Sequence, residues 1–429
     1  VGWSSQSVYK QGLIGEAALY RLAKRKVEVR PVTAATRTFM RRRQILAGLG
    51  ALAWAAPKRA HARPDHVIVV GGGLAGLAAA HRLRGLGAKV TVLEARMRPG
   101  GRVHTVRAPF AGGLHGEAGA ARIADTHGFV LNWVNEFGLR LSPFLEGDLA
   151  PVFAFDAKRY RMNALAMDEA IAKGLSKAER GLTPPQLLTR YTESLPGALK
   201  NSAPEEGQWR EWQSFDRVTW TDFLRARGAS PEAVALMTLG NDAQGISALY
   251  VLRQIMLHRD VRRYHKIEGG NDLLPRAFAK ALGGDLRYGA KVVSIADGSP
   301  MRVTYESKGR RTTLEGERVL VAVPYSVLKT IAVDAKLSPL KRKIIAELPY
   351  RSATRVLLQT SRAFWRTDGE SGWARTDAPA EIWDDSAGQR GGGLLSLTLS
   401  GASDKEFQTR NTDARLARAV EIASAAFPE

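Results

Sequence analysis

The stretch from His66 to Arg102, HVIVVGGGLAGLAAAHRLRGLGAKVTVLEARMRPGGR, constrains the fold more than any other part of the chain. His66–Val70 reads as a parallel strand buried on both faces, because its valines and isoleucine run without polar interruption up to a glycine turn. Gly71-Gly72-Gly73-Leu74-Ala75-Gly76 supplies G-x-G-x-x-G, Leu77–Leu86 reads as an alanine-rich helix, Lys89–Leu93 as a second strand, and Glu94 closes it. Strand, glycine turn, helix, strand and acid in that order form a Rossmann-like unit of an α/β fold. Gly71 permits the tight turn, Gly73 lets a pyrophosphate reach the backbone, and Gly76 lets helix and strand pack closely. The helix start at Leu74 and Ala75 offers free N–H groups and a partial positive charge to phosphate. Glu94 is placed to accept from ribose hydroxyls.

That fingerprint does not separate NAD from FAD. The residues after Glu94 do: Ala95-Arg96-Met97-Arg98-Pro99-Gly100-Gly101-Arg102. Gly100 and Gly101 allow a second close backbone approach, and the guanidinium of Arg102 beside them can clamp phosphate oxygens bidentately. With Glu94 the segment reads E-A-x-x-R-x-G-G-R and resembles the flavin-dependent amine oxidase family, in particular its L-amino-acid-oxidase-like members. The resemblance runs from His66 to the end of the chain. It implies FAD as cofactor and a Rossmann-like FAD-binding domain of the glutathione-reductase/amine-oxidase type. It also implies an α+β substrate domain with a helical insertion.

The net charge of +21 raises the question of a nucleic-acid partner. Residues 1–65 hold thirteen Lys/Arg against three Asp/Glu, so about half the excess precedes the fold. The remainder is thinly spread, with no interleaved basic and aromatic motif, and reads as solvated surface rather than a nucleic-acid interface. The absence of cysteine excludes disulfides, thiolate metal sites and cysteinyl attachment of a flavin within this sequence. No metal site is expected.

Residues 1–39 are basic and carry no assignable motif; they read as sequence upstream of a start at Met40, the alternative being a functional basic arm. Arg41-Arg42-Arg43-Gln44, the apolar run Ile45–Ala56 and Ala60-His61-Ala62 together resemble a twin-arginine export signal over 40–62. The run is too short to span a bilayer, so no stable membrane span is expected. The implied location is periplasmic or secreted, or cytoplasmic if 40–62 is not a signal.

Beyond Arg102, Gly116-Glu117-Ala118-Gly119-Ala120-Ala121-Arg122-Ile123 precedes His127 and a helix ending in Glu136-Phe137-Gly138-Leu139. This resembles the G-x-x-R-[IL] segment of L-amino-acid oxidases. The resemblance implies that Gly119, Ala120 and Ala121 pass near the flavin and that Arg122 pairs with a substrate carboxylate. A structural arginine bridging two loops is the alternative. Helices are expected over Ala164–Lys173, Pro185–Ser194, Trp220–Arg227, Pro231–Leu239 and Ser247–His258. Trp209, Trp212 and Trp220 read as core, the alternative being aromatics that line a substrate funnel, and His258 and His265 as hydrogen-bonded structural histidines, the alternative being acid/base groups. Glu268-Gly269-Gly270 through Pro275 resembles the segment that returns the chain to the cofactor domain. Arg287–Ile295 and Arg318–Pro324 read as strands, and the resemblance implies that Val292 meets the adenine through its backbone. Arg355 occupies the position where many amine oxidases carry a lysine that holds a water against flavin N5; an arginine orders water differently and cannot act as a base.

The expected division is 63–105, 267–345 for the FAD-binding domain, 106–150 and 346–429 for the substrate domain, and 151–266 for the helical insertion. The resemblance further implies a C-terminal FAD segment beyond Glu429. The implied reaction is oxidative deamination of an L-amino acid to the keto acid, ammonia and hydrogen peroxide, by hydride transfer to flavin N5 with molecular oxygen as final acceptor. The alternatives are a monoamine or polyamine oxidase, and a truncated flavoprotein that binds FAD without turnover. The partners are thus a small amino acid or amine and oxygen, with a homodimer left open.

Overall fold

The computed structural model describes residues 65–145, 149–193, 209–241, 243 and 245–428. The segment 1–39 and the export-type segment 40–62 lie outside the described residues. His66–Val70 is a strand with Val67 to Val70 buried, lying parallel between Lys89–Leu93 and Arg318–Val321. Leu286–Arg287 completes this four-stranded sheet on the far side of Lys89–Leu93. The helix Leu74–Gly85 buries Gly76, Leu77 and Ala80. The helix Leu273–Leu282 joins the same core through Leu274, Phe278 and Leu282. A separate four-stranded sheet is built from Lys291–Ala296, Met301–Ser307, Arg310–Gly316 and Ala332–Asp334.

Two strand expectations need correction. The strand read as Arg287–Ile295 is two, Leu286–Arg287 and Lys291–Ala296, separated at Gly289 with φ +61°. The strand expected over Arg318–Pro324 ends at Val321, and as a sheet edge with a partner on one side it leaves Arg318 and Val321 exposed and Val319 and Leu320 only half-buried.

The substrate side centres on a six-stranded sheet, in the order Ala353–Thr360, Gly393–Ser400, Ala380–Asp384, Glu370–Thr376, Ala150–Phe155, Lys158–Arg161. One face packs on the helices Ala402–Thr409 and Thr412–Ala426 through Ala374, Ile382, Leu395, Leu397, Phe407 and Ile422. The other carries Phe153, Trp373 and Trp383 toward the helical unit. The stretch 151–266 is therefore not wholly a helical insertion: it opens with strands of this sheet, and helix begins at Met162. A short apolar run such as Ala150–Phe155 fits strand or buried helix equally well. Parallel pairing with Glu370–Thr376, far away in sequence, decides it.

Most expected helices form near their expected bounds, as Pro184–Thr192, Trp220–Ala226, Pro231–Thr238 and Ala248–His258. Thr219, Ser230 and Ser247 cap the last three by accepting from backbone N–H groups of the first turn. The helix expected over Ala164–Lys173 is split into Met162–Met167 and Glu169–Gly174, because Asp168 is extended and caps the second by accepting from the Ile171 N–H. Trp212 and Trp220 are buried in this unit; the side chain of Trp209 lies outside the described ones. The strand Tyr264–Ile267 then pairs with both Ile123–Ala124 and Leu141–Pro143. Among the described residues no helix is long and apolar enough to cross a membrane.

Candidate active site

The glycines of the first turn differ in what surrounds them. Gly71 has φ +105°, and a side chain there would lie 2.9 Å from the Ala322 carbonyl oxygen. A methyl on Gly76 would lie 2.1 Å from the Gly71 carbonyl oxygen, so the helix crosses the strand at a distance only glycine permits. Gly73 is ordinary backbone, φ −72°, and a methyl there would meet nothing within 4 Å. It borders open space. The second turn closes onto the first: the Gly100 N–H donates to the Gly72 carbonyl at 2.8 Å, and a Cβ on Gly101 would come within 3.3 Å of Gly73 Cα. The helix start at Leu74 and Ala75 has neither a side-chain cap nor an acidic residue in its first turn, so its donors face that space unfilled by protein.

Glu94 is 7% exposed and holds the two turns together. One carboxylate oxygen accepts from the Gly72 N–H at 2.7 Å and the other from the Arg96 N–H at 2.8 Å. Each oxygen retains a lone pair for a hydroxyl. Ala95, Arg96 and Arg102 are exposed beside them. The Ala290 N–H donates to the Glu94 carbonyl at 2.9 Å, which brings Val292, buried in the strand Lys291–Ala296, to the same edge. An open floor at Gly73, an uncapped helix start and an acceptor at Glu94 fit a dinucleotide of the FAD type.

The segment Gly119–Arg122 is bound directly against this cradle. The Ala120 N–H donates to the Arg102 carbonyl at 3.0 Å, and a Cβ on Gly119 would lie 2.0 Å from the same oxygen. The Asn271 side-chain amide donates to the Ala120 carbonyl at 2.9 Å. Arg355 Nη1 donates to the carbonyls of Glu117 and Gly119, both at 2.7 Å, and its Nε to Thr398 Oγ1 at 3.3 Å. Arg355 is thus a brace on the backbone that carries Arg122. Burial lowers its pKa, with the Arg122 charge adding and Asp385 opposing.

Arg122 projects from that segment into an aromatic box. Its guanidinium carbon stands 4.6 Å from the Trp383 ring centroid, 5.5 Å from Tyr264 and 5.9 Å from Phe144. Its Nη1 is buried with no hydrogen-bond partner. A desolvated cationic donor left open is costly, and a ligand acceptor, best of all an anion, satisfies it.

Several charged residues that sequence reasoning did not single out lie beneath the segment. Glu117 accepts from Thr105 Oγ1 and from the Asn271 N–H. Burial pushes its pKa up to about 7 against those hydrogen bonds, with Asp385 and Asp272 adding to the rise. Asp385 accepts from the Glu117 N–H at 2.9 Å, and burial raises its pKa as well. Lys266 Nζ donates to the Asp385 carbonyl at 3.0 Å, and burial lowers its pKa against the pull of Asp385, Asp384 and Glu117. The one signal in the sequence is a lone Lys266 inside the strand Tyr264–Ile267. Of the histidines, His258 Nδ1 bonds the Gln254 carbonyl at 2.7 Å, whereas His265 Nδ1 is buried without a partner.

Strand register lines up the floor of the box. Arg355 pairs with Thr398, Thr398 with Glu381, Glu381 with Arg375, and Arg375 with Phe153, one residue from each of five adjacent strands. The side chains of such a row share one face of the sheet.

The model of the family described as flavin containing amine oxidoreductase matches residues 74–429. An L-amino-acid oxidase from Vipera ammodytes ammodytes is 31% identical over 330 residues, covering 74% of this chain and 66% of that protein. One from Daboia russelii is 29% identical over 329 residues, covering 74% of this chain and 64% of that protein. The chain spans about two thirds of the length of these relatives. Among solved structures, putrescine oxidase bound to putrescine aligns with a TM-score of 0.67 at 22% identity, covering 84% of this chain and 81% of that one. Cyclohexylamine oxidase from Brevibacterium oxydans IH-35A aligns at 0.68 and 21% identity, covering 85% and 81%. These structural likenesses show the fold.

Proposed function

The chain belongs to the flavin-containing amine oxidoreductase family, with FAD as its cofactor, and on that premise we propose that it oxidatively deaminates an L-amino acid rather than a simple amine. Loss of the Cα hydride and an N–H proton leaves the imino acid, which water in solution hydrolyses to the keto acid and ammonia, while dioxygen is reduced to hydrogen peroxide. The observation that carries this reading is the open, buried Nη1 of Arg122 inside the box of Phe144, Tyr264 and Trp383. An α-carboxylate supplies the missing acceptor; an amine brings none.

Bound FAD supplies the acceptor for the two electrons and the hydrogen of the substrate Cα–H, and dioxygen restores it. Gly73, Leu74, Ala75, Gly100, Gly101 and Arg102 would hold the pyrophosphate, Glu94 the ribose, and Val292 the adenine edge. Arg122 fixes the carboxylate by a charge-assisted, bidentate contact, which removes rotational freedom from the Cα–H. Arg355 and Asn271 hold the carbonyls of Gly119 and Ala120, so the arginine is presented from a braced segment. The aromatic walls exclude water and strengthen the ion pair.

The test is the visible spectrum of the FAD-loaded protein under anaerobic conditions. L-Amino acids are expected to bleach it and putrescine or cyclohexylamine to leave it yellow. Arg122→Gln is expected to lower kcat/KM for amino acids by about 100-fold, the scale of one lost charged hydrogen-bonded pair. Bleaching by amines alone, or an unaltered Arg122→Gln variant, would overturn the proposal.

A further inference from the structure

Arg375 is a second buried cation, linked to Arg122 through the neighbouring indoles of Trp373 and Trp383. It lies on the strand Glu370–Thr376 and is 6% exposed. Its Nε is buried with no hydrogen-bond partner. The carboxylate across from it, Glu381, stands 3.7 Å from Nη2, too far for a good hydrogen bond, and also accepts from Trp373 Nε1 at 3.3 Å. The fold makes room for this side chain: Gly240, φ +78°, lies against its stem, where a Cβ would come 2.7 Å from Arg375 Cγ.

The two cations share one floor. Arg122 lies 4.6 Å from the Trp383 ring centroid and Arg375 lies 5.2 Å from that of Trp373. The two indoles are neighbours, with ring centroids 5.5 Å apart. Burial lowers the pKa of Arg375 against the pull of Glu381, and the nearby charge of Arg122 lowers it further. Each keeps a buried nitrogen without a partner. Two like charges held over adjacent rings, each with an open donor, match a ligand carrying two separated anionic groups.

We propose that Arg375 receives a second carboxylate, so that the substrates of this site are acidic amino acids, with the α-carboxylate on Arg122 and the side-chain carboxylate on Arg375. The assignment rests on the carboxylate role of Arg122 proposed above. An apolar side chain would leave the Arg375 donor buried and open, and a cationic one would face its charge. Glu381 holds Arg375 in place from the neighbouring strand and is too far away to satisfy it.

Calorimetric titration of the FAD-loaded protein with glutarate and with pentanoate tests this. The two ligands match in chain length, lack an amine and so are not turned over. Glutarate is expected to bind at least about tenfold more tightly, as a charged hydrogen bond to a second carboxylate requires. Arg375→Met is expected to bring glutarate down to the affinity of pentanoate. Arg375→Lys, which keeps the cation and guards against a folding failure of the first variant, is expected to retain part of the preference. Equal binding of both ligands to the unaltered protein, or a glutarate preference that survives Arg375→Met, overturns the inference while leaving the Arg122 reading intact. If neither ligand binds and Arg122→Gln changes nothing, the carboxylate reading fails and the acidic assignment falls with it.

Discussion

Glu117→Gln is the substitution whose effect the structure defines most sharply. Glu117 is 3% exposed, under the segment that presents Arg122. Asp385, Asp272, Lys266 and Arg355 surround it, yet burial dominates and raises its pKa from 4.5 to about 7. A rise of that size corresponds to about 3 kcal/mol. Because the folded state holds the proton more tightly than the unfolded chain, this stability is fully present below about pH 4.5. It is lost as pH rises through about 7 and stays lost above. A glutamine is neutral throughout; its oxygen can still accept from the Asn271 N–H and its amide can donate to Thr105 Oγ1. Urea unfolding of both proteins from pH 4.5 to 8.5 is the assay. The variant is expected to gain about 3 kcal/mol on the unaltered protein across that window, nearly all of it below pH 7.5. Asp385 and Lys266 titrate in both proteins, so their contributions largely cancel in the difference. Parallel stability profiles would refute the claim that Glu117 is buried without adequate compensation.

The glycines of the first turn separate cofactor binding from folding. Gly73→Ala points a methyl into open space, so its stability should stay within about 0.5 kcal/mol of the parent while the FAD content, read from visible absorbance, falls sharply. Gly76→Ala drives a methyl to 2.1 Å from a backbone oxygen and is expected to cost at least about 3 kcal/mol in urea unfolding. Equal FAD loss with equal destabilisation in both variants would count against this division. Arg355→Met leaves the carbonyls of Glu117 and Gly119 without their donor and is expected to cost about 2–4 kcal/mol, with Arg355→Lys recovering part; unchanged unfolding would show that the brace carries no load.

The strand–turn–helix–strand unit was legible from sequence because its logic is largely local. Strand, turn, helix and acid follow one another between His66 and Glu94, although the Gly71 side of the turn is closed by Ala322 from a distant strand end. The surroundings of Arg122 were legible only in outline. Arg122 was singled out by resemblance, but its box comes from Phe144, Tyr264 and Trp383, three separate places in the chain. Arg375 and Arg355 enter one row only through the register of strands far apart in sequence, which no local pattern encodes. The same pairing turned Ala150–Phe155 into a strand. Glu117, Lys266 and Asp385 look like ordinary charged residues until tertiary contacts remove them from water.

The row from Arg355 to Phe153 has a consequence for how such a scaffold diversifies. Its side chains stand on one face of a sheet whose opposite face is anchored to the C-terminal helices through Ala374, Ile382 and Leu397. The pleat separates the two roles, so a change at Thr398, Glu381 or Arg375 alters that face without reaching the residues that seat the sheet. The glycine cradle is made by other strands altogether. Selection can therefore alter this row without touching the residues that seat the sheet, provided a buried charge and its partner, such as Arg375 and Glu381, change together. Substrate preference is expected to drift quickly among descendants of this architecture, while the grip on the dinucleotide is inherited almost unaltered.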